Sequence, residues 1–162
     1  EAARRLRREG LLCVTAGASG DRALGDAVLA GLGDGGENWA GRTSVLELAG
    51  LLAGARLVVS HDTGAAHLAA ALGTPLVYVA GGGSHARFIA PYQAGGAAAR
   101  PDLAVVDHPM DCYGCAWRCV YPLAPGASAP CLAEIPAGRV LEAVQRLLRL
   151  TPPPGRARGG GL

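Results

Sequence analysis

The chain has 162 residues, half of them hydrophobic but only 4% aromatic, and a formal net charge of +2. That length suits one domain whose core is built from Ala, Leu, Val and Gly, small side chains that let elements pack closely. All 15 basic residues are Arg, clustered only at Arg4, Arg5, Arg7 and Arg8, which gives no footprint for nucleic acid; no apolar run reaches the roughly 20 residues of a membrane span, and the charged, helical start is not a secretory signal.

EAARRLRREG reads as the end of a helix closed by Gly10. It begins without Met and in mid-helix, as expected of a piece cut from a longer protein. LLCVTAG is a short apolar strand. DRALGDAVLAGLG carries Leu24, Val28 and Leu32 at helical spacing, and ENWAG reads as a brief strand. Ser44 opens the capping box S-V-L-E, in which Glu47 reaches back to the free amide of Ser44, and the helix runs to about Gly54. ARLVVS is strand, TGAAHLAAALG helix and TPLVYVA strand. A long loop follows to Arg100, then LAVVD as a last short strand. A Cys-rich excursion occupies 108–135. Pro136 starts a final helix, AGRVLEAVQRLLRL, at a favoured first-turn position. The Pro/Gly-rich tail, 151–162, is expected to be disordered.

Strands alternate with helices, and the strand runs are continuously apolar. The predicted class is α/β: a Rossmann-like parallel sheet over residues 1–150 with helices on both faces. Such sheets bind ligands at the carboxyl ends of their strands.

At one such end stands SHDTGAAH. The helix begins near Gly64, so its free amides and dipole favour an anion. Gly64 lets an oxygen approach the backbone. Thr63 offers a hydroxyl, and His67 leans back toward the same point. Asp62 is a poor phosphate partner and fits better as an acceptor for sugar hydroxyls or as a helix cap. The plainer alternative is that Asp62 or Thr63 only caps the helix and His67 is a half-buried helical histidine.

The stretch D-T-G-A-A-H-L-A-A-A-L-G-T-P, preceded by an apolar strand and by G-R-T-S-V-L-E-L-A-G-L-L-A-G-A, resembles the C-terminal domain of the family 9 glycosyltransferases. These are the heptosyltransferase-like enzymes of lipopolysaccharide assembly. The resemblance runs from about Leu11 to about Leu148. It implies the C-terminal half of a GT-B architecture, with the N-terminal acceptor domain missing from this chain. It also implies that Thr63, Gly64 and Ala65 receive the diphosphate of a nucleotide-sugar. His67 would support it, and Asp62 would face the sugar or its phosphate-linked end. Gly41-Arg42-Thr43 would border the base, and the loop Ala16 to Asp21 the ribose, with Asp21 as the acid. After TPLVYVA the chain departs from the family's Gly-Pro-Thr and reads GGGSHARFIAPY. Gly81, Gly82 and Gly83 allow close backbone approach there, and Arg87 supplies a fork of donors suited to phosphate. The other reading is a surface loop with an incidental Arg. The departure leaves the sugar open, so heptose is not implied.

Cys112-x2-Cys115-x3-Cys119-x11-Cys131 is a second signal. Four thiols with a close pair suit a tetrahedral Zn²⁺; an iron–sulfur cluster fits the order less well. The alternative is reduced cysteines packing a turn around Trp117. A similar set, ending as in Cys131-Leu132-Ala133-Glu134-Ile135, occurs in the same family, which strengthens the resemblance but not the metal. Cys13 sits in an apolar strand and reads as core.

The resemblance implies a transferase that moves a sugar from a nucleoside diphosphate to a hydroxyl of a glycan or lipid-linked acceptor, with inversion and without a catalytic metal. The base would come from the missing domain, so no catalytic base is assigned and this chain alone is expected to be inactive. The expected place is the cytoplasm, at most peripheral to the inner face of the cytoplasmic membrane. Two rivals are a non-catalytic Cys₄ zinc-binding interaction module and a nucleotide-sugar epimerase. The epimerase's usual acid pair is not evident.

Overall fold

A computed structural model describes residues 10–31, 36–82, 100–116 and 118–151. The expected helix before Gly10, the loop residues Gly83 and Arg87, Trp117 and the tail beyond Thr151 lie outside the described residues. The chain groups into two compact units, Glu1–Leu51 and Leu52–Leu162.

In the first unit, β1 (Cys13–Thr15) pairs in parallel with β2 (Gly36–Asn38), Val14 standing opposite Glu37. A 3-10 turn at Ser19–Asp21 leads into α1 (Arg22–Ala30). α1 meets the strands through Gly25, its one buried residue. A Cβ there would lie 2.8 Å from both Asn38 Oδ1 and Thr15 Oγ1. Entry through the smallest side chain turns Leu24 and Val28 outward, 67% and 49% exposed, so the spacing that marks the helix does not mark its buried face. β2 starts one residue before ENWAG, at Gly36, over which Leu29 sits.

The helix α2 (Val45–Gly54) begins as predicted. The Ser44 amide donates to Glu47 Oε2 at 2.8 Å, and the Glu47 amide donates to Ser44 Oγ at 3.3 Å. That reciprocal pair satisfies two amides that a helix leaves open. The Ser44 amide also holds the Glu47 carboxyl below the ordinary glutamate range.

The second unit carries β3 (Val58–His61), β4 (Leu76–Ala80) and β5 (Leu103–Asp107), all parallel, with β4 in the middle. α3 (Gly64–Ala71) returns the chain from β3 to β4. All five β4 residues are buried, and side chains of a strand alternate between faces, so both faces of β4 are covered. The covering helices are α3 and α5 (Ala137–Leu150), which both pack on β4. Ala66 and Ala69 let α3 approach closely, and Leu147 is fully buried. The fold class is therefore the expected one, parallel strands covered by helices. Among the described residues the strands form two ladders rather than one continuous sheet.

Two anchors hold the α3–β4 corner. Buried Thr74 donates its hydroxyl to the Leu52 carbonyl at 3.0 Å. Arg100 donates to the Ala70 carbonyl at 2.5 Å, near the end of α3, and grips Asp102 through Nε at 3.0 Å and Nη2 at 2.8 Å. That grip holds the Asp102 carboxyl below its usual range. After β5, residues 108–129 form no helix or strand among those described. A short helix not anticipated from sequence, α4 (Pro130–Ala133), follows. Pro136 is not inside the first turn of α5; it is the extended cap residue, φ −65° and ψ 131°.

Candidate functional site

The carboxyl end of β3 delivers the chain into α3 through Ser60, His61, Asp62 and Thr63. Thr63 is the cap residue, in extended backbone, and its carbonyl accepts from the Ala66 and His67 amides. The amides of Gly64 and Ala65 precede the first bond of the helix, so helix geometry gives them no partner within it. Thr63 does not cap with its side chain. Ser60 donates its hydroxyl to the His61 carbonyl at 2.9 Å, which leaves Thr63 as the donor in the 3.1 Å contact between the Thr63 and Ser60 hydroxyls. The hydroxyl expected to serve a phosphate thus points to Ser60 here. Gly64 is exposed, and a Cβ added to it would meet nothing within 4 Å. No packing demand among the described residues explains this glycine.

His67 stands one turn into α3, with Nε2 3.1 Å from Asp62 Oδ1. The carboxylate oxygen accepts, so Nε2 carries the hydrogen. The Asp62 side chain is only 9% exposed and that of His67 27%. The imidazole also leans on Tyr78 of β4, ring centres 6.4 Å apart and planes at 58°. A buried carboxylate and an aromatic ring therefore fix the orientation of His67. Thr63, not Asp62, is the cap residue of α3, and Asp62 holds His67.

In the first unit two loops expected to flank a ligand meet at the carboxyl ends of β1 and β2. The Trp39 amide donates to the Thr15 carbonyl at 2.8 Å and the Gly41 amide to the Gly17 carbonyl at 2.9 Å. Gly41 has φ +71°, and a Cβ on it would lie 2.7 Å from Ser19 Cα, so a side chain is excluded twice over. Arg42 stacks over Trp39 at 5.7 Å, and half-buried Thr43 follows it. Asp21 turns inward on its own loop: Oδ2 accepts from the Ala18 amide at 2.8 Å. Asp21 and Thr43 belong to the first unit, and Asp62 to His67 and Gly82 to the second.

Gly82 differs from its reading as an open approach. It is buried, and a Cβ there would lie 2.9 Å from Cδ2 of the Tyr113 ring. Its carbonyl accepts from the Gly114 amide at 2.7 Å. What comes close to Gly82 is the chain's own Cys-rich excursion. Tyr113 has its hydroxyl pushed up to about 12, by burial first and then by the nearby Asp107 carboxylate.

Cys112, Cys115, Cys119 and Cys131 all line one cavity of about 130 Å³, closed by Met110, Leu123 and Leu132. All are free thiols; Cys119 is exposed and the other three are half-buried. Among the described residues no three His, Cys, Asp or Glu side chains stand close enough together to hold a metal ion as they are placed. Cys13 is half-buried in β1 of the first unit, and burial pushes its thiol up.

Residues 1–100 match the family described as Glycosyltransferase family 9 (heptosyltransferase). The chain belongs to glycosyltransferase family 9. The family 9 chain is similar to the solved structure of E. coli ADP-heptose lps heptosyltransferase II, at 27% identity and a TM-score of 0.68, over 92% of this chain and 40% of that one. A family 9 glycosyl transferase from Veillonella parvula shares the fold at 21% identity and a TM-score of 0.68, over 93% of this chain and 40% of that one. The chain thus spans about two fifths of the length of these relatives. No curated protein matches it. Neither the interaction-module nor the epimerase reading is favoured by these matches. Among the described residues no helix is long and apolar enough to cross a membrane.

Two features of the site escaped the sequence. Asn38 is a hub: it donates to the Arg22 carbonyl at 2.8 Å and to Asp26 at 2.7 Å, and accepts from the Ala40 amide at 3.0 Å. Nothing in ENWAG marks it, because the two acceptors of its side-chain amide lie on α1. The seat of Tyr113 on Gly82 is equally silent, the two being far apart in sequence.

Proposed function

We propose that this chain is the donor-binding part of a glycosyltransferase that passes a sugar from a nucleoside diphosphate to a hydroxyl of a glycan or lipid-linked acceptor, in lipopolysaccharide or other cell-surface glycan assembly. The supporting observation is the seam of β3 and α3. The Gly64 and Ala65 amides have no partner within the helix, a Cβ on Gly64 would meet none of the described residues, and an imidazole is held in place by a buried carboxylate. Such donors stabilise the negative charge that gathers on a departing diphosphate. In this reading Thr63, Gly64 and Ala65 cradle the phosphates, with the Thr63 hydroxyl turning from Ser60 to ligand. His67 adds a charge-assisted bond, and Asp62 orients His67. Gly83 and Arg87 would complete the phosphate end, and Asp21 and Thr43 the ribose and base end. The acceptor attacks the anomeric carbon with inversion, deprotonated by a base this reading places outside the 162 residues. The phosphate donors are protein groups, so the reading needs no metal at the diphosphate. The enzyme would work in the cytoplasm, at the inner face of the membrane where its acceptor resides. The heptosyltransferase that this chain resembles at 27% identity is named for ADP-heptose, which makes ADP the first diphosphate to try.

Titration of the parent and of His67→Ala with ADP, UDP and GDP and with their nucleosides tests the reading. Loss of the imidazole should weaken the preferred diphosphate by about 1.5–3 kcal/mol, roughly 10- to 150-fold, and its nucleoside hardly at all. Melting curves record the separate cost of losing the His67–Asp62 contact. Equal diphosphate affinities in a folded mutant and parent would remove His67 from the site.

A further inference from the structure

We propose that Cys112, Cys115, Cys119 and Cys131 form a binding site for a thiophilic divalent cation, Zn²⁺ above all. The proposal does not rest on the donor reading. Three observations carry it. First, four of the chain's five cysteines, three from the stretch after β5 and one from α4, line a single cavity. Secondly, the other lining side chains, among them Met110, Leu123 and Leu132, offer no carboxylate or imidazole, so the donor set is sulfur throughout. An all-thiolate set selects soft cations and excludes Mg²⁺ and Ca²⁺. Thirdly, beyond the seat of Tyr113 and Gly114 on Gly82, the described residues of 108–129 contain no helix or strand, and residues 118–128 are exposed. Connections beyond roughly 15 residues without structure of their own are uncommon in a compact unit and are usually functional. Short segments without a core are commonly stapled by disulfides or a metal, and these thiols are unpaired.

Among the described residues the four sulfurs are not gathered closely enough to hold an ion, so ligation requires the segment to draw in. Cys112 and Cys115 bracket a turn in which Gly114 takes φ +90°, and Ala116 just after it takes φ +49°, a conformation L residues seldom adopt. Cys131 is fixed from the other side by α4, near Gly81, where a Cβ would stand 3.6 Å from its sulfur. Cys119, on the exposed stretch, is the ligand with freedom to close the set. The sulfurs must draw inward to reach the ~2.3 Å of a zinc–thiolate bond. As each does so its S–H proton leaves to solvent and a sulfur lone pair binds the cation. Four thiols release four protons to one Zn²⁺ and leave the site with two net negative charges.

The test uses the full chain, reduced and stripped of metal, titrated with Zn²⁺ and in parallel with Co²⁺. About one equivalent should bind, Co²⁺ should develop the visible bands of tetrahedral thiolate coordination, and acid should be released. Four of the five thiols should be shielded from a thiol reagent by Zn²⁺ and exposed again by a chelator. Cys131→Ser should abolish stoichiometric binding, while Cys13→Ser should leave it intact. The parent titration stands even if Cys131→Ser fails to fold. Five thiols that react alike with and without Zn²⁺ would overturn the site. So would disulfides among the four in chain isolated with reductant present, or cobalt spectra of oxygen coordination.

Discussion

Gly64 and Gly82 occupy equivalent places, each just past the carboxyl end of a parallel strand, and they are used in opposite ways. Among the described residues no atom stands within 4 Å of a Cβ added to Gly64. Above Gly82 lies the Tyr113 ring, and its carbonyl is taken by the Gly114 amide. A glycine at a strand end therefore says only that something approaches the backbone. Whether that is a ligand or the chain itself depends on residues far along the sequence. Of the two, Gly64 is the one that the described residues leave open.

The contrast is broken most directly at Gly82. Gly82→Ala pushes a methyl group into the Tyr113 ring, and overpacking of this kind costs about 1–3 kcal/mol. In a Tyr113→Ala background the same change should cost under about 0.5 kcal/mol, because the obstructing ring is gone; the double-mutant cycle reads the coupling. An undiminished cost would mean that Tyr113 is not what fills the space.

A smaller, pH-dependent effect comes from the same ring. The Tyr113 hydroxyl is pushed up to about 12 from an unfolded value near ~10. The folded state holds the proton more tightly, so this contribution is fully present below pH ~10 and is lost as pH rises from there toward 12. Tyr113→Phe should flatten that part of the alkaline melting profile. Parallel profiles for the two proteins would show that the hydroxyl is not shielded in solution.

Gly64→Ala should have the smallest effect on stability, within about 0.5 kcal/mol of the parent, since the site is exposed and unobstructed. Its effect on ligand should be large, because the methyl group stands where a phosphate oxygen would sit. A mutant as stable as the parent with unchanged nucleoside-diphosphate affinity would turn Gly64 into a second case of Gly82.

Local chemistry was legible and distant packing was not. The Ser44–Glu47 capping box, the limits of β5 and the strand-to-helix seam at residues 60–67 follow from neighbours within a few positions. Asp62 was visible as the one acid near His67, but not that it would hold the imidazole rather than cap the helix. The outward turn of Leu24 and Val28 was not legible, because helical spacing shows which residues share a face, not which face is buried. Gly25 decided that by admitting Asn38 and Thr15 from other elements. α4 is too short to leave a periodic pattern.

Gly82 and Arg100 are two fixed posts in the fold. Gly82 is pinned by Tyr113 and Gly114. Arg100 is bolted to Ala70 and Asp102. All four partners lie outside residues 83–99, so substitutions within that stretch leave both posts standing.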